Sequence, residues 1–310
     1  MESSAKSSLH AILAAVCLSL CFSLPAAFGQ QQAPDPAGQT TAPDRKLSSD
    51  QLDNLVAPIA LYPDPVLSQV LAATTYPLEI VEAQQWMQRN KNLRGDDLMQ
   101  AAREQNWDAS VAALVAFPDV LSMLNQDIRW TTDLGDIFLS QQTDVMNAVQ
   151  RLRARAKADG KLTTSPQQTV VTKTQGNDSM IEIWPADPQV VYVPVYNPTY
   201  IWGPPAWGYY PPLLYSGFGY GFWPGVNLGF YFGGWGGWGG WGWGPSWFGR
   251  TVVVNNTFFN RYGFRPGPVG FRGPGTWIHD PSHRLGVAYP NHELANRFQG
   301  PSNAARSALL

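Results

Sequence analysis

From Ser48 onward, apolar residues recur at helical spacing behind recognisable start signals. Ser48 with Gln51 three positions on forms a capping-box pattern, and Leu52, Leu55, Val56 and Ile59 then fall on one helical face. Pro58 ends or kinks that helix. A second start is read at Asp64 as the cap, with Pro65 in the first turn and Val66, Leu67, Val70 and Leu71 behind it; a third opens at Pro77 and presents Ile80, Ala83 and Met87. After Gly95 come Leu98, Ala101 and Ala102, then Val111, Leu114 and Val115 behind Asp108 as a cap. A sixth helix follows Pro118, with Leu121, Leu124 and Ile128. The longest is expected from about Asp133 to Asp159, where Leu134, Phe138, Gln141, Val145, Val149 and Leu152 are spaced by threes and fours and Gly160 stops the run. Its acidic start complements the helix dipole, and its basic end (Arg151, Arg153, Arg155, Lys157) reads as a solvated helix terminus. Residues 48–162 are therefore expected to form a bundle of six or seven short helices, long enough to bury a core.

After Lys161 the period switches to two. The β-branched and aromatic runs Thr169–Thr174, Met180–Trp184 and Val190–Tyr196 are separated by Gly176-Asn177-Asp178 and Ala186-Asp187-Pro188, which predicts a three-stranded meander over residues 163–200. Pro194 places the third run at an edge or a bulge. The expected fold class is mainly α with a small β meander (α+β), followed by a Gly/Trp/Tyr-rich, low-complexity and irregular C-terminal region.

Three stretches carry a resemblance: QLDNLVAPIALYPDPVLSQVLAATTYPLEIVEAQQW, FPDVLSMLNQDIRWTTDLGDIF and IEIWPADPQVVYVPVYNP, in that order. Together they resemble, over about residues 50–200, a bacterial family catalogued as domain of unknown function 3300. WIHDPSHRLGVAY, residues 277–289, looks like another signature found in such proteins. The resemblance implies an exported bacterial protein with this helical-then-β order; it implies no reaction, and no catalytic residue is carried over from it.

The amino-terminal residues point the same way. Lys6, the apolar run Leu9–Leu24, Pro25 and the triplet Ala27-Phe28-Gly29 read as a secretory signal peptide over residues 1–29, because the run is short of the roughly 20 residues that span a bilayer. A retained membrane anchor is the alternative. Both cysteines, Cys17 and Cys21, lie inside this segment, so the mature chain holds no thiol. Residues 30–47, rich in Pro and Gln, read as a disordered linker. The expected location is the periplasm or cell envelope of a bacterium.

Residues 201–249 form a tract unlike the rest. Between 201 and 250 stand 18 aromatics and 16 glycines, with Arg250 as the one charged side chain. The near-repeat GGWGGWGGWGWG is too glycine-rich to settle as helix or strand. Trp223, Trp235, Trp238, Trp241, Trp243 and Trp247 are candidate binding residues on an aromatic arm, since indole faces suit sugar rings or a membrane surface, and self-association is open to them too. Nucleic acid is not expected as a partner, because stacking on bases needs a basic groove that residues 201–249 lack.

The tail, residues 250–310, is basic: seven arginines stand against Asp280 and Glu293. It suits anionic envelope polymers. His279, His283 and His292 lie here and are the candidate ligands for a divalent metal, while a short helix capped by Asp280 and entered at Pro281 accounts for HDPSHR without any ion. No cofactor is expected otherwise. No phosphate-binding glycine loop or nucleophile elbow occurs, and the carboxylates Glu79, Glu82, Asp96 and Asp97 read as solvated helix faces. The leading expectation is a non-enzymatic envelope binding or scaffolding protein with an aromatic, glycine-rich arm. The alternatives are a metal-dependent hydrolase centred on His279 and His283, and a self-associating structural or assembly protein.

Overall fold

A computed structural model describes residues 46–187, 189–215, 219–227, 242–255 and 274–298, all within one compact unit, residues 42–310. Its helices are α1 (Ser49–Val56), α2 (Asp64–Ala73), α3 (Pro77–Arg89), α4 (Gly95–Arg103), α5 (Ala109–Leu114), α6 (Pro118–Gln126), α7 (Ile128–Ser140), α8 (Gln142–Ala158) and the short α9 (Pro198–Trp202). The strands are β1 (Gln168–Gln175), β2 (Asp178–Pro185), β3 (Val190–Val191), β4 (Pro194–Tyr196), β5 (Tyr220–Phe222), β6 (Val226–Asn227), β7 (Trp243–Ser246), β8 (Thr251–Asn255) and β9 (Pro274–Thr276). The class is α+β, as the sequence pattern indicates. Among the described residues, no helix is long and apolar enough to cross a membrane.

Local signals place most helix ends. Ser48 and Gln51 form the full capping box on α1, Asp108 accepts from the Ser110 N–H ahead of α5, and Gly160 takes φ +67° just past α8. The long helix expected from about Asp133 to Asp159 is instead two. It breaks at Gln141, whose amide oxygen accepts from Leu47 N (2.8 Å) and whose amide nitrogen donates to Leu47 O (3.3 Å), 94 positions away. Asp127 caps α7 by accepting from Arg129 and Trp130 N–H. Eight helices, not six or seven, thus fill residues 48–162.

The β region departs from a three-stranded meander. β1 and β2 pair antiparallel from Gln168↔Pro185 to Gln175↔Asp178, and among the described residues no third strand joins them. The run Val190–Tyr196 is broken before Pro194 into β3 and β4, which pair with β6 and β5 respectively. Its partners therefore come from the glycine and aromatic tract, where pattern alone offers no strand. The remaining sheet is antiparallel with the order β7-β8-β9, and β7 packs on α2.

Helices and strands share one core. It joins α1, α2, α3, α5, α6, α7 and α8 to Ile181 and Ile183 of β2, to Val191, Tyr196 and Trp202, and to Trp243, Trp247 and Val252 of the third sheet. The tract supplies core residues as well. Trp202 donates its indole N–H to Leu152 O (2.9 Å), which fixes α9 on α8.

Candidate functional site

The three-stranded sheet is held at one end by buried charge. Arg153 on α8 has no exposed side-chain surface, and it donates to Asp64 Oδ1 (2.5 Å), Ala60 O, Tyr62 O and Ile181 O. Trp247, just beyond β7, donates its indole N–H to Asp64 Oδ2 (2.8 Å), and the Arg153 guanidinium lies 4.8 Å from its ring centroid. Burial raises the Asp64 carboxyl while Arg153 and Trp247 pull it down; the two short charge-assisted contacts favour the ionised pair. Two expectations change here. Asp64 is no helix cap, since it lies within α2 and its side chain turns to the core; Arg153 is no solvated helix end, since an amphipathic face brings it beside that carboxylate. Arg250, in the turn after Trp247, donates to Asn147 Oδ1 (2.5 Å) and its carbonyl accepts from Gln142 Nε2, tying the same turn to α8.

At the opposite end of the sheet, β7, β8 and β9 come together. Asn255 N donates to Gly242 O (2.8 Å) at the start of β7, and Asn255 pairs with Pro274 at the start of β9. Residues 228–241, which carry GGWGGWGGW, therefore enter β7 at the point where residues 256–273, which carry Arg261, Arg265 and Arg272, leave β8 and re-enter as β9. Of the six tryptophans expected on an aromatic arm, Trp235, Trp238 and Trp241 lie outside the described residues. Trp243 and Trp247 are buried in the core, where strand pairing and the Asp64 contact place them, so neither is presented at the surface. Trp223 is half-buried, with its backbone N–H donating to Val193 O.

The tail closes over the α2–α3 turn. Asp280 accepts from Ser282 N–H and caps a 3-10 turn, Pro281–Arg284, as the proline after an Asp cap predicts. That turn aims two histidines at Tyr76: the His279 ring stacks on it at 5.0 Å and the His283 ring meets it edge-on at 6.0 Å. Thr75 Oγ1 donates to Ala72 O, so it accepts from His279 Nδ1 (3.1 Å), and Tyr289 OH donates to His279 Nε2 (2.8 Å). This network assigns a neutral His279 with its proton on Nδ1. Burial holds its pKa down at about 3.

His283 behaves oppositely. Its Nδ1 lies 2.7 Å from Glu79 Oε1, and that hydrogen bond raises its pKa against the opposing effect of burial. Glu79 is not on a solvated helix face; its side chain is 1% exposed, and its second oxygen accepts from Asp108 N (2.7 Å). Burial raises Glu79 while His283 lowers it. Arg284 completes the clasp, donating to Asp136 Oδ1 (2.7 Å), Thr75 O, Val287 O and Ala288 O, with Tyr289 stacked on it at 4.3 Å. Glu79, Asp136 and Arg284 were invisible as a set, because they come from three separate elements and Arg284 lies 148 positions beyond Asp136; only the HDPSHR turn was a local signal.

The three histidines proposed as metal ligands do not converge. His279 has both ring nitrogens occupied by Thr75 and Tyr289, His283 is paired with Glu79, and His292 is exposed. Among the described residues, no group of three or more His, Cys, Asp or Glu side chains stands placed to hold a metal ion.

Residues 48–265 match the family described as "Protein of unknown function (DUF3300)", which is most of the chain. The chain belongs to this family. The DUF3300 match takes in the helices, all three two-stranded pairs, β7 and β8, and it ends before the clasp at residues 277–289. A relative in Escherichia coli (strain K12), described as "Uncharacterized protein YacH", is 41% identical over 194 residues, which cover 54% of this chain and 31% of that protein. The chain thus spans well under half the length of the curated relative it matches. No solved structure matches it.

Proposed function

We propose that this DUF3300 member is an exported, non-catalytic protein of the bacterial envelope, which binds or organises envelope material through segments carried at one end of its three-stranded sheet. One observation supports the reading: Gly242, Asn255 and Pro274 meet at a single sheet end, so an indole-rich stretch and an arginine-bearing stretch of sequence both connect to the folded unit there. Indole faces offer apolar contact to sugar rings, and guanidinium groups offer bidentate pairing to phosphate or carboxylate. The partner class is an anionic envelope polymer or membrane surface. The leader-like residues 1–29 support export.

The test compares the mature chain with a variant in which residues 228–241 are replaced by a short Gly-Ser linker. Both are sedimented with peptidoglycan, lipopolysaccharide and acidic liposomes. Deletion of the whole tract would be uninformative, because Trp202, Trp243 and Trp247 belong to the core. Retention by the mature chain that falls in the variant supports the reading. Equal, negligible retention of both removes it, and concentration-dependent oligomers abolished by the replacement would put self-association in its place. Cell fractionation with determination of the mature amino terminus tests export.

A further inference from the structure

A groove of about 150 Å³ opens between α6, β4, the strap at residues 211–215 and Trp223. Its two walls differ in chemistry. On α6, Asp119, Ser122 and Gln126 recur at spacings of three and four, so they line it from one helical face. Facing them are ring and aliphatic surfaces, chiefly Trp223, Tyr215 and the exposed Leu214. The buried rings of Tyr62 and Tyr196 form the inner wall, and their hydroxyls are committed: Tyr62 to Met123 Sδ (3.2 Å), Tyr196 to Ala57 O (2.8 Å).

The groove is preformed. Leu214 N donates to Gln126 Oε1 (3.1 Å), tying the strap to α6, and Tyr215 OH donates back to Pro211 O (2.7 Å). Trp223 is fixed by its backbone bond to Val193 O and by an edge contact with Tyr62 at 6.4 Å. Among the described residues, the amide N–H groups of Gln126, the Ser122 hydroxyl and the Asp119 carboxylate remain for an occupant.

We infer that this groove is a binding site for a single pyranose ring of a neutral or amino sugar. A pyranose carries hydroxyls round its edge and C–H groups on its face, so one ring satisfies a polar wall and an aromatic wall together. A purely apolar ring would strip water from Asp119 and Ser122 and give nothing back. An acidic sugar would meet Asp119, and among the described residues no Lys or Arg lines the groove to offset it. The volume of about 150 Å³ is of the order of a single ring. This inference does not depend on the reading of residues 228–241.

Calorimetric titration of the full mature chain with glucosamine, N-acetylglucosamine and glucuronate tests it. Millimolar binding of the first two is expected, with glucuronate weaker by about tenfold. Trp223→Leu and Ser122→Arg each abolish binding, the second by filling the groove from a half-exposed helical position that folding tolerates, as unchanged unfolding temperature would verify. Asp119→Asn narrows the gap between glucosamine and glucuronate. Replacement of residues 228–241 leaves sugar binding intact, which separates this site from the envelope-retention reading. Absence of binding by both neutral and amino sugars, or binding that survives Trp223→Leu and Ser122→Arg, overturns the inference.

Discussion

The indole N–H of Trp247 donates to Asp64 across 2.8 Å, joining two positions 183 residues apart at the centre of the fold. Arg153 shares the same carboxylate, so one buried anion has two donors from two different elements. Arg153→Met leaves Asp64 buried without its counter-charge, and the expected loss is about 3–5 kcal/mol. Trp247→Phe keeps the ring and removes the N–H, for an expected loss of about 1–3 kcal/mol. Urea unfolding of both variants checks the order; a Trp247→Phe loss larger than that of Arg153→Met would show that the indole, and not the guanidinium, chiefly holds the anion.

Gly135 on α7 passes against the turn between α2 and α3. A Cβ there would sit 2.1 Å from Thr74 O and 2.8 Å from Thr75 N, and both are backbone atoms that cannot rotate aside. Gly135→Ala is expected to push α7 off that turn and cost at least about 1–3 kcal/mol, although alanine is the better helix former by about 1 kcal/mol. Thermal unfolding decides the sign.

The two histidines of the clasp predict opposite pH limbs. His279 has its folded pKa depressed to about 3 from 6.5, so it contributes stability above pH 6.5 that is lost as pH falls from 6.5 toward 3. His283 has its folded pKa raised above 6.5 by Glu79, so its contribution is full below pH 6.5 and is lost as pH climbs through the folded value. The two histidine contributions together are greatest near pH 6.5, while the raised carboxyls of Glu79 and Asp136 act against the acid limb. His279→Asn flattens the acid limb, whose slope approaches about 1.4 kcal/mol per pH unit, and His283→Gln flattens the alkaline limb. Unfolding temperatures of the wild type and both variants across pH 4–9 test this; profiles of identical shape would contradict it.

Arg284 and Asp136 form the third contact of the clasp, at 2.7 Å. Arg284→Met strips the partner from a largely buried carboxylate and the donors from Thr75, Val287 and Ala288 carbonyls. An expected loss of about 3–5 kcal/mol, together with faster proteolysis beyond residue 274, would be read by urea unfolding and limited digestion.

Short-range chemistry was legible in the sequence. Ser48 with Gln51, Asp108, Gly160 and Asp280 each act on groups within a few residues of themselves, so pattern located the helix ends and the tail turn. Long-range chemistry was not. Asp64 has the form of a helix cap, and only Arg153 and Trp247, brought in by the fold, make it a core anion. The break at Gln141 has no glycine or proline and comes from a paired amide contact with Leu47. Val190–Tyr196 read as a strand, yet its partners lay in a glycine-rich tract with no period to announce them. Glu79 looked like any surface acid because His283, on which its role depends, is 204 positions away. Of the candidate binding residues, pattern singled out tryptophans by abundance, which does not separate core indoles such as Trp243 and Trp247 from those placed elsewhere.

The wide separation of these partners has a consequence for synthesis. Asp64 waits for Trp247, and Thr75, Tyr76, Glu79 and Asp136 wait for residues 279–289, so these helices complete their contacts only once residues 148 to 204 positions further on have been made. A nascent chain in which residues 279–289 have not yet been made holds Asp136 without its guanidinium and Glu79 without its imidazole.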